Sequence, residues 1–380
     1  LARSFLIPFQ RNFPMNYNID AIDQLDSPAL VIYPELVRHN IALAIRMIGD
    51  VQRLRPHVKT HKSAEATRLM LDAGIRKFKC ATIAEAEMLG MCGAADVLLA
   101  YQPVGPKLQR FIAVMEKYPA TRYSCLVDNS AAAQAMAGAF AARQMEVPIY
   151  LDLNIGQNRT GIAPEAALDL FMTCISMKGI GSVGLHAYDG HIRNDDLEAR
   201  KTACDAAFLR VTVLKNAIVK AGFTIPSVIA GGSPTYPIHA AREQVESSPG
   251  TFIYWDKGYS DLCPEQPFKP AAILITRVIS LPDAGKLCLD LGHKSVAAES
   301  PIDKRVFFPD APELIPLGQS EEHLVVEAGA GHSWKIGDVL YGIPFHICPT
   351  AALYERAYIV ENQKIFGEWY AIARDRKITC

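Results

Sequence analysis

No apolar run approaches the length of about eighteen residues that a membrane-crossing helix requires, so no membrane span is expected. An excess of charge is missing too: 39 Lys and Arg stand against 40 Asp and Glu, a net charge of -1. That balance offers nothing to nucleic acid or to an anionic membrane surface. The nine cysteines contain no CxxC pair and no zinc-finger spacing, and their number is odd. They are expected to be reduced, mostly buried thiols of a cytoplasmic protein rather than a disulfide framework. No GxGxxG follows the first apolar segment, and solenoid repeats and low-complexity tracts are absent.

What is present is a chain of 380 residues, 50% hydrophobic, long enough for one large domain and a smaller one. The segment Leu1-Ala2-Arg3-Ser4-Phe5-Leu6-Ile7-Pro8 has no long apolar core before a small-residue cleavage site, so a secretory signal is not expected in it. Residues 1–14 are expected to lie outside the folded body, and an N-terminal extension or arm is assigned to 1–26. A short strand over 29–33 leads to a helix over 34–48. Pro34 suits the first helical turn, and Val37, Ile41, Ile45 and Ile48 recur at helical spacing.

Strand-like apolar runs then alternate with amphipathic stretches. The runs are 54–59, 78–82, 96–101, 123–128, 148–154, 181–188, 227–230 and 251–256, with helical patterns at 64–73, 84–93, 130–144 and 195–221. Eight such units predict an α/β fold with a closed (β/α)8 TIM barrel over 27–265. A doubly wound open sheet is disfavoured, because polar clusters recur at nearly every strand end and only a barrel gathers all those ends on one face. From about 266 strands follow one another without long helices, at 271–280, 286–291, 323–327, 339–343, 357–361 and 366–373. An antiparallel β-domain is therefore expected over 266–380, and the strand 29–33 could join its sheet.

The chemistry-bearing stretch is Arg55-Pro56-His57-Val58-Lys59-Thr60-His61-Lys62. Lys59 falls near the C-terminal end of a strand, where barrels keep catalytic groups, among basic and imidazole neighbours that would push an amine toward neutrality. Such an amine can form a Schiff base with a carbonyl cofactor, and Lys59 is read as the lysine of a pyridoxal phosphate enzyme. Gly231-Gly232-Ser233-Pro234-Thr235 follows the seventh predicted strand, the place of phosphate loops in barrels, although the same composition also makes a plain turn. His186, Tyr188, Asp189 and His191 close the sixth strand and offer a ring-stacking group, a partner for a pyridine nitrogen or phenol oxygen, and a proton carrier. Arg159 could pair with a carboxylate or a phenolate, or sit in a surface salt bridge. His346 and Cys348, if extended, project from one face and could hold a divalent metal with open positions, the thiolate favouring zinc.

Together with Ser27-Pro28-Ala29-Leu30-Val31, the 156–161 run Gly-Gln-Asn-Arg-Thr-Gly and His346-Ile347-Cys348-Pro349-Thr350, these motifs resemble the D-threonine aldolase and D-serine dehydratase family from about residue 25 to 375. The resemblance implies an alanine-racemase-like (fold type III) enzyme: a barrel plus a β-domain, dependent on pyridoxal 5'-phosphate and a divalent metal, and a homodimer with its active site between subunits. It implies Lys59 as the Schiff-base lysine, His346 and Cys348 as the metal pair, and Gly232, Ser233 and Thr235 in the phosphate site. Tyr188, Tyr254 and Asp256 border the cofactor on the same grounds. The expected reaction is metal-assisted cleavage of a D-3-hydroxy amino acid to glycine and an aldehyde, with His191 as base and zinc or manganese as metal. His-x-Cys resembles the dehydratase branch, because the aldolases carry an aspartate at the position of Cys348; the alternative is therefore dehydration of D-serine or D-3-hydroxyaspartate to a keto acid and ammonia. An amino-acid racemase and a noncatalytic pyridoxal-phosphate-binding protein are the remaining readings.

Overall fold

In the computed structural model, which describes residues 17–380, two sheets divide the chain. The expectation for residues 1–14 lies outside the described residues. Residues 17–25 pack onto the fold: Tyr17, Ile19 and Leu25 are buried with Val31, Ile273 and Ile275, and the Tyr33 hydroxyl donates to the Tyr17 carbonyl.

The strand β1 (Ala29–Ile32) runs into α1 (Pro34–Ile48), which places Pro34 where its missing N–H is not needed. The barrel strands follow as β2 (Lys77–Cys80), β3 (Asp96–Leu99), β4 (Arg122–Val127), β5 (Val147–Asp152), β6 (Ile180–Ala187), β7 (Val228–Ala230) and β8 (Val245–Ser247), each parallel to the next. Outside them lie α2 (Ala64–Asp72), α3 (Ile83–Met91), α4 (Pro106–Lys117), α5 (Ser130–Ala142), α6 (Ala167–Ile175), α7 (Leu197–Lys220) and α8 (Tyr236–Ala240). Several begin on a capping side chain. Ser63, Thr82, Asn129 and Asp196 each accept a backbone N–H of the first turn, which is why these helices start where they do.

The eighth stave is residues 54–57, which bridge Ser247 on one side and Lys79 on the other. Pro56 has no N–H to give a ladder, so the segment makes isolated bridges rather than a regular strand. It then turns into a 3-10 helix, Val58–Thr60, and Lys59 sits on that turn just above the stave. The expected strand at 251–256 is corrected: the strand is β8, and Thr251–Ile253 is a 3-10 helix. A continuously apolar run is buried in either form, and here burial against Phe268 rather than sheet pairing explains it. Arg55 plugs the barrel floor, completely buried, with Asp96 at 2.5 Å and Glu246 at 2.7 Å; Lys77 reaches the same Glu246. A barrel interior filled by paired charges keeps the lower end closed and leaves the upper end for chemistry.

After α9 (Lys257–Leu262) the second sheet forms from β9 (Ala272–Asp283), β10 (Lys286–Leu289), β11 (Val306–Phe307), β12 (Ile315–Gln319), β13 (Leu324–Glu327), β14 (Val339–Pro344), β15 (Arg356–Glu361) and β16 (Lys364–Tyr370). Its main order is β12-β13-β10-β9-β1-β15-β16, so β1 lies in the middle. It is antiparallel except for the parallel pair β1 and β15. One helix, α10 (Ile347–Leu353), interrupts this sheet domain after β14.

Candidate active site

Tyr188 stands at the centre of the barrel's upper face. Its ring lies against Gly190 and Gly232, and a Cβ at either glycine would run into it. Three cations surround the ring: Arg159 at 5.2 Å, Lys79 at 5.6 Å and Lys59 at 6.0 Å. Arg159 is exposed on the loop after β5 and forms no salt bridge among the described residues, so the surface ion pair weighed above is not realised. His57 accepts the Lys59 N–H at Nδ1 (3.2 Å), and burial, with Lys59 and Lys79 nearby, holds its imidazole well below the usual range. Lys79 is 2% exposed, and burial followed by the charge of Lys59 pushes its amine down to about 7.

His186 is buried and paired through Nδ1 with Asp152 at 2.8 Å, and Thr160 holds the other carboxylate oxygen at 2.7 Å. Burial lowers the histidine's pKa, so it is the neutral ring that donates to Asp152, leaving Nε2 as an acceptor. That Nε2 is buried with no partner.

The loops after β7 and β8 meet at Ser233, whose hydroxyl accepts the N–H groups of Thr251 (3.1 Å) and Gly250 (3.4 Å) and keeps its own proton for an outside acceptor. Gly231 has φ +84° and abuts His239, so both backbone freedom and space demand glycine. Thr235 braces this loop from behind: its hydroxyl donates to Asp189 (2.8 Å) and accepts from the Gly232 N–H (3.3 Å). Behind it Asp189, Cys204 and His239 form a buried group whose potential ligand atoms lie within 4.8 Å of one another, a set that could hold a metal. Arg242 occupies its outer side, 2.5 Å from His239 Nδ1 and 3.6 Å from Cys204 Sγ. Because arginine only donates, His239 presents Nε2–H to Asp189 at 2.8 Å, and the group is a closed hydrogen-bond network.

Cys348 lies on the first turn of α10 and not on an extended strand, so the expected period-two placement of His346 and Cys348 is corrected. Pro349 fits a first turn, and Asp256 Oδ2 caps the Ile347 N–H at 3.1 Å. His346 and Cys348 nevertheless interact. Burial opposes ionisation of both, yet the Cys348 thiol is held below its ordinary value by His346 and Lys59, and His346 is pushed up to about 9 by Cys348 and Glu299. Glu299 receives His346 Nδ1 at 2.5 Å, which orients the ring and leaves Nε2 as the remaining nitrogen. The sulfur sits 3.1 Å from Thr60 Oγ1 and 3.4 Å from Thr251 Oγ1, so the pair reaches the loop of Lys59 and the loop beside Ser233.

Asp256 and Tyr254 lie in the segment between β8 and α9. Asp256 is fully buried, its pKa pushed up to about 6 by burial, and its other oxygen caps α9 at Tyr259 N (2.8 Å). Tyr254 is buried edge-on against His61. His191 stands on an exposed turn over Gly156. Lys79 belongs to no motif, and its one signal is that Lys77 and Lys79 alternate with Phe78 and Cys80 and so share the barrel's inner face. Glu299, Cys204, His239 and Arg242 carry no local signal.

A phosphorylated aromatic aldehyde fits these residues: the buried His186 Nε2 lacks a partner, three cations face one ring, and the Ser233 hydroxyl keeps its proton at the meeting of two loops. The arrangement is that of a barrel enzyme with a lysine beneath a metal-competent His–Cys pair.

The chain belongs to the family defined by the alanine racemase N-terminal domain, which matches residues 32–257, followed by a serine dehydratase domain over 271–360. It is 25% identical to D-threonine aldolase of Arthrobacter sp over 93% of this chain and 94% of that one. It is also 25% identical to D-threo-3-hydroxyaspartate dehydratase of Delftia sp. (strain HT23), over 88% and 93%. The structure of D-threonine aldolase from Filomicrobium marinum superposes with a TM-score of 0.86 at 24% identity, covering 95% of this chain and 99% of that one. The relatives are lyases, and they divide between aldol cleavage and dehydration.

Proposed function

We propose that the protein is a pyridoxal-phosphate- and divalent-metal-dependent lyase that cleaves D-3-hydroxy amino acids to glycine and an aldehyde, the D-threonine aldolase type. The observation that carries this reading is the approach of Cys348 Sγ to Thr60 Oγ1 at 3.1 Å, which puts the metal-competent pair beside the lysine loop. A racemase has no use for such a pair. When bound, the cofactor supplies an electron sink for bonds at the substrate's Cα, and the metal supplies a Lewis acid at its 3-hydroxyl.

This chain's residues do the rest. Lys59 would hold the cofactor through its aldehyde, and the Ser233 hydroxyl, whose proton has no acceptor within the loops, would hold its phosphate. Tyr188, His186 and Arg159 orient its ring. His346 and Cys348 hold the metal, with zinc favoured by the thiolate and manganese the other candidate. His191, on the rim, takes the hydroxyl proton in aldol cleavage. Removal of the Cα proton by Lys59 Nζ instead, with loss of hydroxide, would leave an enamine that water hydrolyses to keto acid and ammonia; the similarity to a dehydratase and the His–Cys pair favour this as the second reading. A homodimer is part of the proposal on the strength of the family.

The test is product analysis of metal-replete, cofactor-loaded protein given D-threonine and D-serine. Glycine with acetaldehyde supports the aldolase; 2-oxobutyrate or pyruvate with ammonia establishes the dehydratase. Activity untouched by a strong chelator would remove the metal from the scheme. Borohydride reduction should fix the cofactor on Lys59, and Lys59→Ala should lose it.

A further inference from the structure

We propose that Lys79 is an oxyanion-binding residue of the loaded site, its ammonium receiving either the ring oxygen of the cofactor or a carboxylate of the substrate. The proposal rests on the reading of Lys59 and the cofactor given above. Lys79 projects from β2 into the barrel two residues beyond Lys77, and the two differ in one respect. Lys77 ends on Glu246 at 2.5 Å, whereas Lys79, 2% exposed, has no carboxylate or carbonyl within hydrogen-bond reach among the described residues. A buried ammonium without a counter-charge is destabilising, so its surroundings call for an anion.

The protein does not supply that anion. The nearest carboxylates are engaged, Asp152 by His186 and Thr160, and Asp189 by His239 and Thr235. The Lys79 amine instead faces the Tyr188 ring together with Lys59 and Arg159, so three cations converge on one ring while the nearest acids, Asp152 and Asp189, act on Lys79 only through space. Attachment of an aldehyde to Lys59 engages one of the three. Arg159, exposed at the rim, serves an anion reached from solvent; Lys79, beneath the ring, serves one that has already entered. Both sources present the same chemistry, an oxygen carrying negative charge next to a planar ring or at Cα.

The experiment compares wild-type protein with Lys79→Met and Lys79→Arg. Cofactor affinity is measured with pyridoxal phosphate alone. Substrate binding is measured with D-threonine and D-serine, as the concentration giving half the change in cofactor absorbance. Borohydride trapping followed by peptide mapping locates the cofactor in each variant. A loss of cofactor affinity of about tenfold or more in Lys79→Met, partly restored in Lys79→Arg, assigns the ring oxygen. Unchanged cofactor affinity with a rise of about tenfold or more in the amino-acid requirement assigns the substrate carboxylate. If both stay within about twofold of wild type while the cofactor still traps on Lys59, Lys79 is packing only and the proposal fails alone. If wild-type protein does not trap the cofactor on Lys59, the underlying reading and this proposal fall together. Should Lys79→Met not fold, Lys79→Gln decides: cofactor and substrate profiles within about twofold of wild type in the absence of the charge would overturn the assignment.

Discussion

Burial, and then the neighbouring charge of Lys59, push the Lys79 amine to about 7 from an ordinary 10.5. A lowered lysine pKa means that the unfolded chain holds the proton more tightly than the folded one. The resulting penalty is fully present below pH 7, shrinks as the folded protein sheds the proton above it, and is gone near 10.5. Wild-type stability is thus predicted to rise through this window on account of Lys79. Lys79→Met in cofactor-free protein should be more stable at neutral pH by on the order of a few kcal/mol, with the advantage vanishing toward the alkaline end. Paired urea titrations across the range check this, and equal midpoints at every pH would refute it. At this scale the sequence was legible where residue type and spacing were both unusual. Lys59, His57 and the glycine pair announced themselves. Lys79 did not, because a lysine in a short strand reads as a surface charge until barrel closure decides which face is inside.

At the level of elements, one carboxylate joins two helices. Asp256 caps α9 at its own end and α10 across the junction between the sheets, so one side chain links the start of the Cys348 helix to the start of α9. Asp256→Ala should cost about 2 kcal/mol or more by removing two caps, visible as a lower Tm, and should weaken metal retention because the turn carrying Cys348 is released. Asp256→Asn keeps one acceptor and should lose about half as much stability; equal losses in the two variants would contradict the double-cap account. Helices with caps and spacing, such as α1 and α7, were readable from the chain. The helix at 347–353 was not, because Pro349 argues for extension locally and the group that starts the helix is 91 residues away in sequence, at Asp256. The same holds for the eighth barrel strand: an apolar run at 251–256 outscored the short β8, whose glutamate faces inward to Arg55. Local pattern ranks hydrophobic runs, and tertiary pairing overrules the ranking.

The molecule as a whole joins a lysine from the barrel to a cysteine from the sheet domain, with Thr60 and Thr251 on one side and Cys348 on the other. Neither part holds the candidate site alone. Cys348→Ala is expected to leave the barrel folded and the cofactor trapped on Lys59 while metal content falls to background, as elemental analysis of dialysed protein would show. Full metal content in that variant would move the metal elsewhere, and the buried Asp189, Cys204 and His239 group would be the place to look.

The position of β1 between β9 and β15 also has a temporal side. During synthesis Ile32 appears first, yet its antiparallel partner Ala272 is 240 residues further on (272 minus 32). At translation speeds of about 5–20 residues per second, a nascent chain carries that strand for roughly ten to fifty seconds before either neighbour exists. The barrel can close in the meantime, since its staves begin at residue 54 and end at Ser247. The apolar edge of Ala29–Ile32 is thus the part of this protein that a holding chaperone has both the reason and the time to bind.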